Sequence, residues 1–348
     1  METVLEARQE LYMLGARFVA FLQHSFPPHV GDWMLSVSSI GDPSKGFIVF
    51  FPIILSLNYL KGVKFLGAFI ICEWFNMVSK WVLHGERPYW WVIEKETHIN
   101  LQQTYLTCET GPGVPSGHSQ AASVIWFCFA DSLVGCIGHG RGIVWMLYVF
   151  MQISMFFSRV YIAAHFPHQC LLGYVVGLII VKKFYVKSSW IQMKACSLVF
   201  ISMFLISSAL GVYMLLLKFG FDPNWSINLA KKNCENPQWI YIDTTPFYAL
   251  MRFSGAAVGL SLSGYLSMEI FSTPSTLTRA FTLFVGLILG QLSNIIHKNL
   301  PRENLNQFYL CEFLLNAFFI IVVIKVFQLM LYNNLCGSQR QLNRSHRH

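Results

Sequence analysis

The chain has 348 residues, of which 54% are hydrophobic and only 12% charged, with a formal net charge of +8. A soluble domain of this size carries about 25% charged residues, so a soluble globular protein is excluded and most of the surface must face lipid. The basic residues lie in loops between apolar runs, not on an aromatic-interleaved patch, which excludes nucleic acid as a partner and fits the loop chemistry of a membrane protein.

Nine apolar segments follow one another near 33–57, 64–83, 117–137, 142–160, 169–186, 196–217, 246–268, 279–297 and 308–331. A spanning helix needs about 20 apolar residues. The stretch from Ala195 to Leu217 meets that need, with no ionisable residue except Cys196 and Tyr213. The first segment is interrupted by Gly41-Asp42-Pro43-Ser44-Lys45 and is expected to be kinked or re-entrant. Met1 to Pro28 shows no cleavable signal pattern, so the first span is expected to direct insertion. The expected architecture is all-α, a single polytopic membrane domain over residues 1–348 with about nine transmembrane helices. Its catalytic core falls at about 64–186, its C-terminal helices at about 196–331 and a short basic tail at 337–348. The nine cysteines lack CxxC spacing, and Cys128, Cys136 and Cys196 lie within apolar runs, where Cys behaves as a small hydrophobe. Cys108 and Cys234 lie in polar loops where pairing is open, and the unpaired state is the expectation.

Three blocks carry the chemistry: Lys80-x6-Arg87-Pro88, Pro115-Ser116-Gly117-His118 and Ser158-Arg159-x5-His165. Even numbers of crossings separate them, so all three emerge on one face of the membrane. The opposite loops carry Lys61, Lys64, Lys182, Lys183, Lys187 and Lys194, and a Lys and Arg excess marks the cytoplasm. The three blocks are therefore expected to face the lumen, although that face also carries Lys231, Lys232, Lys298 and Arg302. Asn224-Trp225-Ser226 is a glycosylation sequon on the same side; Asn343-Arg344-Ser345 is a second, in the expected cytosolic tail.

A phosphate monoester carries nearly two negative charges and needs several fixed cations. Arg offers a planar fork to two oxygens, whereas Lys acts as a point charge. Pro88 biases Arg87 toward an extended backbone just past the helix end. Gly117 allows close backbone approach, and a helix start there favours an anion. Each feature alone has a plainer reading. Lys80 and Arg87 suit side chains reaching for the membrane interface, Ser116 suits an ordinary helix cap, and a lone interfacial His is commonly structural. Three convergent blocks outweigh these readings. One imidazole can attack phosphorus and form a covalent intermediate, while a second donates and then takes a proton. No clustered carboxylates suit a metal ion, so neither metal nor cofactor is expected.

Around these blocks the chain resembles the phosphatidic acid phosphatase type 2 superfamily, and within it the glucose-6-phosphatase catalytic subunits. The resemblance rests on His84-Gly85-Glu86-Arg87-Pro88-Tyr89-Trp90-Trp91, on Thr107-Cys108-Glu109-Thr110-Gly111-Pro112-Gly113, on Ala164-His165-Phe166-Pro167-His168-Gln169 and on Trp239 to Phe247. It implies a nine-span endoplasmic reticulum enzyme that hydrolyses glucose 6-phosphate at a lumenal site, contributes to glucose production, and is coupled to a glucose-6-phosphate transporter. It further implies His165 as nucleophile, His118 as proton donor, and Lys80, Arg87, Arg159, Ser116 and Gly117 as phosphate ligands. Gln169 falls where the wider superfamily has Asp to orient the nucleophile, which favours a sugar over a lipid phosphatase. The polar stretch 233–247 is expected to be a lumenal lid. The rival readings are a lipid phosphate phosphatase with the same chemistry and a carrier that binds phosphate esters without cleaving them.

Overall fold

The computed structural model describes residues 2–137, 139–264 and 275–345. Positions 265–268 of the seventh apolar segment and the last three residues of the tail lie outside the described residues. All regular elements among the described residues are helical. The N-terminal group is α1 (Glu2–Ser25), α2 (Pro28–Ile40), α3 (Pro43–Lys45) and α4 (Phe51–Leu57). A central group follows: α5 (Tyr59–Leu83), the short α6 (Pro88–Glu94), α7 (Gly117–Val134), α8 (Arg141–Tyr161) and α9 (Pro167–Ile180). The C-terminal group is α10 (Ala195–Lys218), α11 (Trp225–Asn233), α12 (Pro246–Ser263), α13 (Thr276–Asn299) and α14 (Leu305–Ser345).

Helices occupy all nine apolar segments, yet among the described residues six are long and apolar enough to cross a membrane, or seven with the bent pair His29–Ile40 and Pro43–Leu57. That pair bends by 44° at the Gly41-Asp42 break, where Pro43 cannot continue the preceding helix. The two helices that fall short are α7 and α12. Polar residues lower their apolarity, and these are buried within the protein: Ser119, Gln120 and Ser123 on α7, Arg252, Ser254 and Ser261 on α12. The site is built from such polar, protein-facing helices.

Close helix contact fixes the central group. A Cβ added at Gly173 would lie 2.6 Å from the Ser116 carbonyl oxygen, and one at Gly177 would lie 2.7 Å from that of Gln120. Two glycines four residues apart thus let α9 press its backbone against the start of α7, the small-xxx-small device of membrane helices. In the C-terminal half α12 packs on α5 and α14, and a buried hydrogen-bonded ion pair, Glu73 with Arg252, ties α5 to α12.

Two features depart from the sequence-based expectation. The first is α1, which brings Tyr12, Ala16 and Val19 to one buried face at helical spacing. Tyr12 stacks on Phe166 at a centroid distance of 4.8 Å, and Gln23 Nε2 donates to the Tyr161 carbonyl at 2.6 Å. The helix therefore braces the loop that carries His165. The second is a disulfide between Cys108 and Cys234, where the unpaired state was expected. Neighbouring polar contacts bring the two strands of chain together: Gln103 Nε2 donates to the Asn233 carbonyl at 3.0 Å, and Ser226 Oγ donates to the Thr110 carbonyl at 2.8 Å. A separation of 126 residues hides that meeting from the sequence.

If the glycine pair sets the α7–α9 distance, Gly177→Val should destabilise the protein by about 1–3 kcal/mol through overpacking. Thermal unfolding in detergent reads this out as a lowered midpoint; an unchanged midpoint would show that the helices have room to part.

Candidate active site

The last turn of α5 supplies Lys80. The chain then leaves the helix at His84, which adopts a left-handed conformation (φ 46°), and Arg87 is extended (φ −112°, ψ 151°) ahead of Pro88. Arg87 is fully buried. Its Nε donates to the Gly111 carbonyl at 2.7 Å, Nη1 to the Ala164 carbonyl at 3.0 Å and Nη2 to the Pro112 carbonyl at 3.4 Å. One guanidinium thus clasps the glycine loop to the histidine loop. A Lys lacks the donors to do this.

Arg159 arrives from the last turn of α8, also fully buried, with Nη1 donating to Ser38 Oγ at 2.5 Å and Nε without a partner among the described residues. His165 follows in the turn before α9. Its Nδ1 faces the Gly113 carbonyl at 2.9 Å and Gln169 Oε1 at 3.2 Å, and both are acceptors. The Gln169 amide is itself fixed, because Oε1 accepts the Phe166 N–H at 3.1 Å and Nε2 donates to the Glu86 carbonyl at 2.7 Å. Two acceptors at Nδ1 require the proton there, which leaves the Nε2 lone pair pointing toward Arg87 Nη1 at 3.3 Å. Gln169 therefore orients the imidazole without a charge. Gly113 is needed for this geometry, since a Cβ there would lie 2.3 Å from the Glu86 carbonyl oxygen.

Ser116 caps α7: its Oγ accepts the Ser119 N–H at 3.4 Å and its own N–H donates to the Gln169 carbonyl at 3.1 Å. First-turn amides of a helix have no intrahelical acceptor, so Gly117 and His118 present theirs at the site. Lys80 Nζ lies within 4 Å of where a Cβ at Gly111 or Gly117 would stand, at 3.7 and 3.8 Å. A Cβ at either position would meet the ammonium at ordinary contact distance.

Glu109 occupies the centre. Its carboxylate pairs with Arg87 Nη1 at 2.9 Å and with Arg159 Nη2, and it approaches His118 Nδ1 to 3.4 Å and His165 Nε2 to 3.7 Å. These are the groups that a phosphate would be expected to contact, so the carboxylate stands where phosphate oxygens would sit. Burial opposes its charge, but Arg159, Arg87 and His118 hold the carboxyl well below the usual carboxylate range. For His165, burial first and then the Arg87 guanidinium push the imidazole well below its ordinary value, so the ring is neutral at neutral pH.

A cavity of about 500 Å³ opens beside this cluster, lined at one end by Lys80, Glu109, Gly117, His118 and Arg159. Arg87, Ser116, His165 and Gln169 lie behind the lining, fully buried. Glu109 stands between His165 and the cavity. All eight residues singled out from the sequence thus converge at one place. Glu109 was quoted there only within a longer string. Asp42, 3.9 Å from His118 Nε2, was read only as part of a helix break. Among the described residues no group of three or more His, Cys, Asp or Glu is arranged to hold a metal ion.

Fold and site define the class: a family model described as the PAP2 superfamily matches residues 61–193, the segment from α5 past α9 that carries all three blocks. Similarity to curated proteins extends further. The chain is 37% identical over 279 residues to glucose-6-phosphatase 2 of Mus musculus, covering 75% of this chain and 78% of that one. It is 34% identical over 297 residues to glucose-6-phosphatase catalytic subunit 1 of Felis catus (81% and 83% covered), and 32% identical over 327 residues to glucose-6-phosphatase 2 of Homo sapiens (88% and 92% covered). The chain belongs to the glucose-6-phosphatase family, within the PAP2 superfamily, and is a phosphatase. No solved structure matches it.

Two substitutions probe the cluster. Arg87→Lys keeps the charge but loses the clasp, and kcat/KM for phosphate-ester hydrolysis should fall at least about 100-fold; a loss under tenfold would mean that charge alone matters. Glu109→Gln removes the resident anion, and inorganic phosphate should then inhibit about tenfold more tightly, a difference of about 1.4 kcal/mol. An unchanged inhibition constant would show that the carboxylate does not compete with phosphate.

Proposed function

We propose that this protein hydrolyses glucose 6-phosphate to glucose and inorganic phosphate through a phosphohistidine intermediate, at a site facing the lumen of the endoplasmic reticulum. His165 Nε2 attacks phosphorus in line with the ester bond. The P–N bond forms as the P–O bond to the sugar breaks, and His118 gives its proton to the departing alkoxide. His118 then takes a proton from a water molecule, whose oxygen attacks the phosphohistidine, and the P–N bond breaks to release phosphate. Lys80, Arg87 and Arg159, with the Ser116 cap and the Gly117 amide, stabilise the charge spread over the equatorial oxygens. They supply the countercharge, so the reaction needs neither metal nor cofactor. Glu109 swings out as the substrate dianion enters.

The observation that carries the sugar-phosphate reading is the cavity beyond the phosphate seat. It is lined by Asp243, Arg252, His297 and Asn316, groups that a hexose can pair with and an acyl chain cannot. That wall disfavours a lipid phosphate phosphatase. A carrier has no use for a neutral imidazole fixed as a nucleophile. The relatives named above are glucose-6-phosphatases, which agrees with this substrate.

Lumenal orientation draws support from two independent features. Lys and Arg cluster in the loops opposite the site, and the Cys108–Cys234 disulfide lies on the site's side, where an oxidising compartment preserves it. Substrate must then cross the membrane, hence the coupling to a glucose-6-phosphate transporter. At Asn224 the side-chain amide donates to the Tyr213 hydroxyl at 3.2 Å and is half-buried, so a glycan there would require release of that bond.

Microsomes carrying the chain should release phosphate from glucose 6-phosphate, more after detergent permeabilisation, undiminished by EDTA, and not at all with His165→Ala. Release that survives His165→Ala would remove the mechanism. Loss in EDTA would remove its metal independence, and no gain on permeabilisation would remove the lumenal orientation.

A further inference from the structure

The far wall of the cavity holds polar groups that phosphoryl transfer does not use. Asp243 sits in the single turn Ile242–Thr244. Its Oδ2 meets His297 Nε2 at 3.1 Å and accepts from Arg302 Nη2 at 3.4 Å, while its Oδ1 is buried without a partner among the described residues. His297 Nδ1 hydrogen-bonds in turn to Glu312, so one imidazole bridges the turn and α14. One turn further along α14, Asn316 Nδ2 donates to the Glu312 carbonyl at 2.8 Å, and the Asn316 side chain lines the cavity. Arg252 is held by Glu73 through one Nη, and its Nε is buried without a partner among the described residues.

This wall is therefore rigidly built yet incompletely satisfied. Among the described residues it holds one buried acceptor without a partner, Asp243 Oδ1, and one buried donor without a partner, Arg252 Nε, beside the amide of Asn316. Buried polar groups are ordinarily hydrogen-bonded, and each exception calls for an explanation. A hydroxyl both donates and accepts, so a ligand with several hydroxyls matches the set, whereas an apolar group would leave it unpaired. The wall is also tied to the phosphate seat. Thr244 Oγ1, one residue from Asp243, accepts the Thr110 N–H at 3.2 Å, next to Glu109. One short loop thus reports on both ends of the cavity.

We propose that Asp243, fixed by His297 and Arg302, forms with Arg252 and Asn316 the subsite that receives the hydroxyls of the substrate's alcohol half and makes the enzyme specific for polyhydroxylated phosphate esters. The proposal rests on the sugar-phosphatase reading above and assigns its specificity to a wall outside the PAP2 segment. A site built to bond hydroxyls rejects analogues that lack them, because its own polar groups then stay unpaired.

The test measures kcat and KM for glucose 6-phosphate and for phenyl phosphate in permeabilised membranes carrying the full chain, Asp243→Asn or Asn316→Ala. The second variant leaves the Asp243 contacts to His297 and Arg302 intact and guards against loss of fold in the first. In each variant the ratio of kcat/KM for glucose 6-phosphate to that for phenyl phosphate should fall about 10- to 100-fold, mainly through KM for the sugar ester. A ratio that stays constant, whether both esters slow equally or neither does, would overturn the subsite while His165-dependent turnover keeps the phosphatase reading. No His165-dependent turnover of either ester by the wild type would overturn both.

Discussion

Glu109 is the hinge of the structure's electrostatics. Two guanidiniums, Arg87 and Arg159, are both fully buried and both paired to this one carboxylate. Isolated buried charges are very costly, and the Glu109 carboxylate lowers the cost of keeping both guanidiniums charged at this site. The carboxylate keeps the cations in place, and a phosphate dianion can take over the same contacts.

The rest of the architecture serves that cluster. Arg87 joins two loops through three carbonyls, Gly173 and Gly177 press α9 on the start of α7, and Tyr12 on α1 stacks against Phe166 beside the histidine. The disulfide at Cys108 anchors the residue preceding Glu109 to the end of α11. C-terminal helices beyond the PAP2 segment then close the cavity with Asp243, Arg252, His297 and Asn316. The cationic cluster and the polar wall come from different halves of the chain, joined by the turn at Ile242–Thr244.

What the sequence revealed follows from distance along the chain. The three blocks were legible because each is local, with cations, helix start and histidine at short fixed spacing. Pro88 foretold the extended Arg87, and the Gly41-Asp42-Pro43 break foretold the 44° bend. The tautomer set by Gly113 and Gln169 was not legible, because a carbonyl 52 residues away supplies the key acceptor. Nor was the disulfide, across 126 residues. The buried stripe of α1 had helical period, but Glu6, Arg8, Glu10 and Arg17 on its other faces lower its apolarity and hide it from a search for spans. Helices α7 and α12 read as spans by length; their polar residues proved to face protein, not lipid.

Covalent catalysis by His165 is the claim on which the account turns. Rapid quenching of the permeabilised enzyme with glucose 6-phosphate labelled at phosphorus should trap an acid-labile, base-stable phosphoenzyme whose label maps to His165. The label should be absent in His165→Ala, and in His118→Ala any label that forms should be slow to clear, since water attack lacks its base. Label on another residue, or label retained in His165→Ala, would contradict the account.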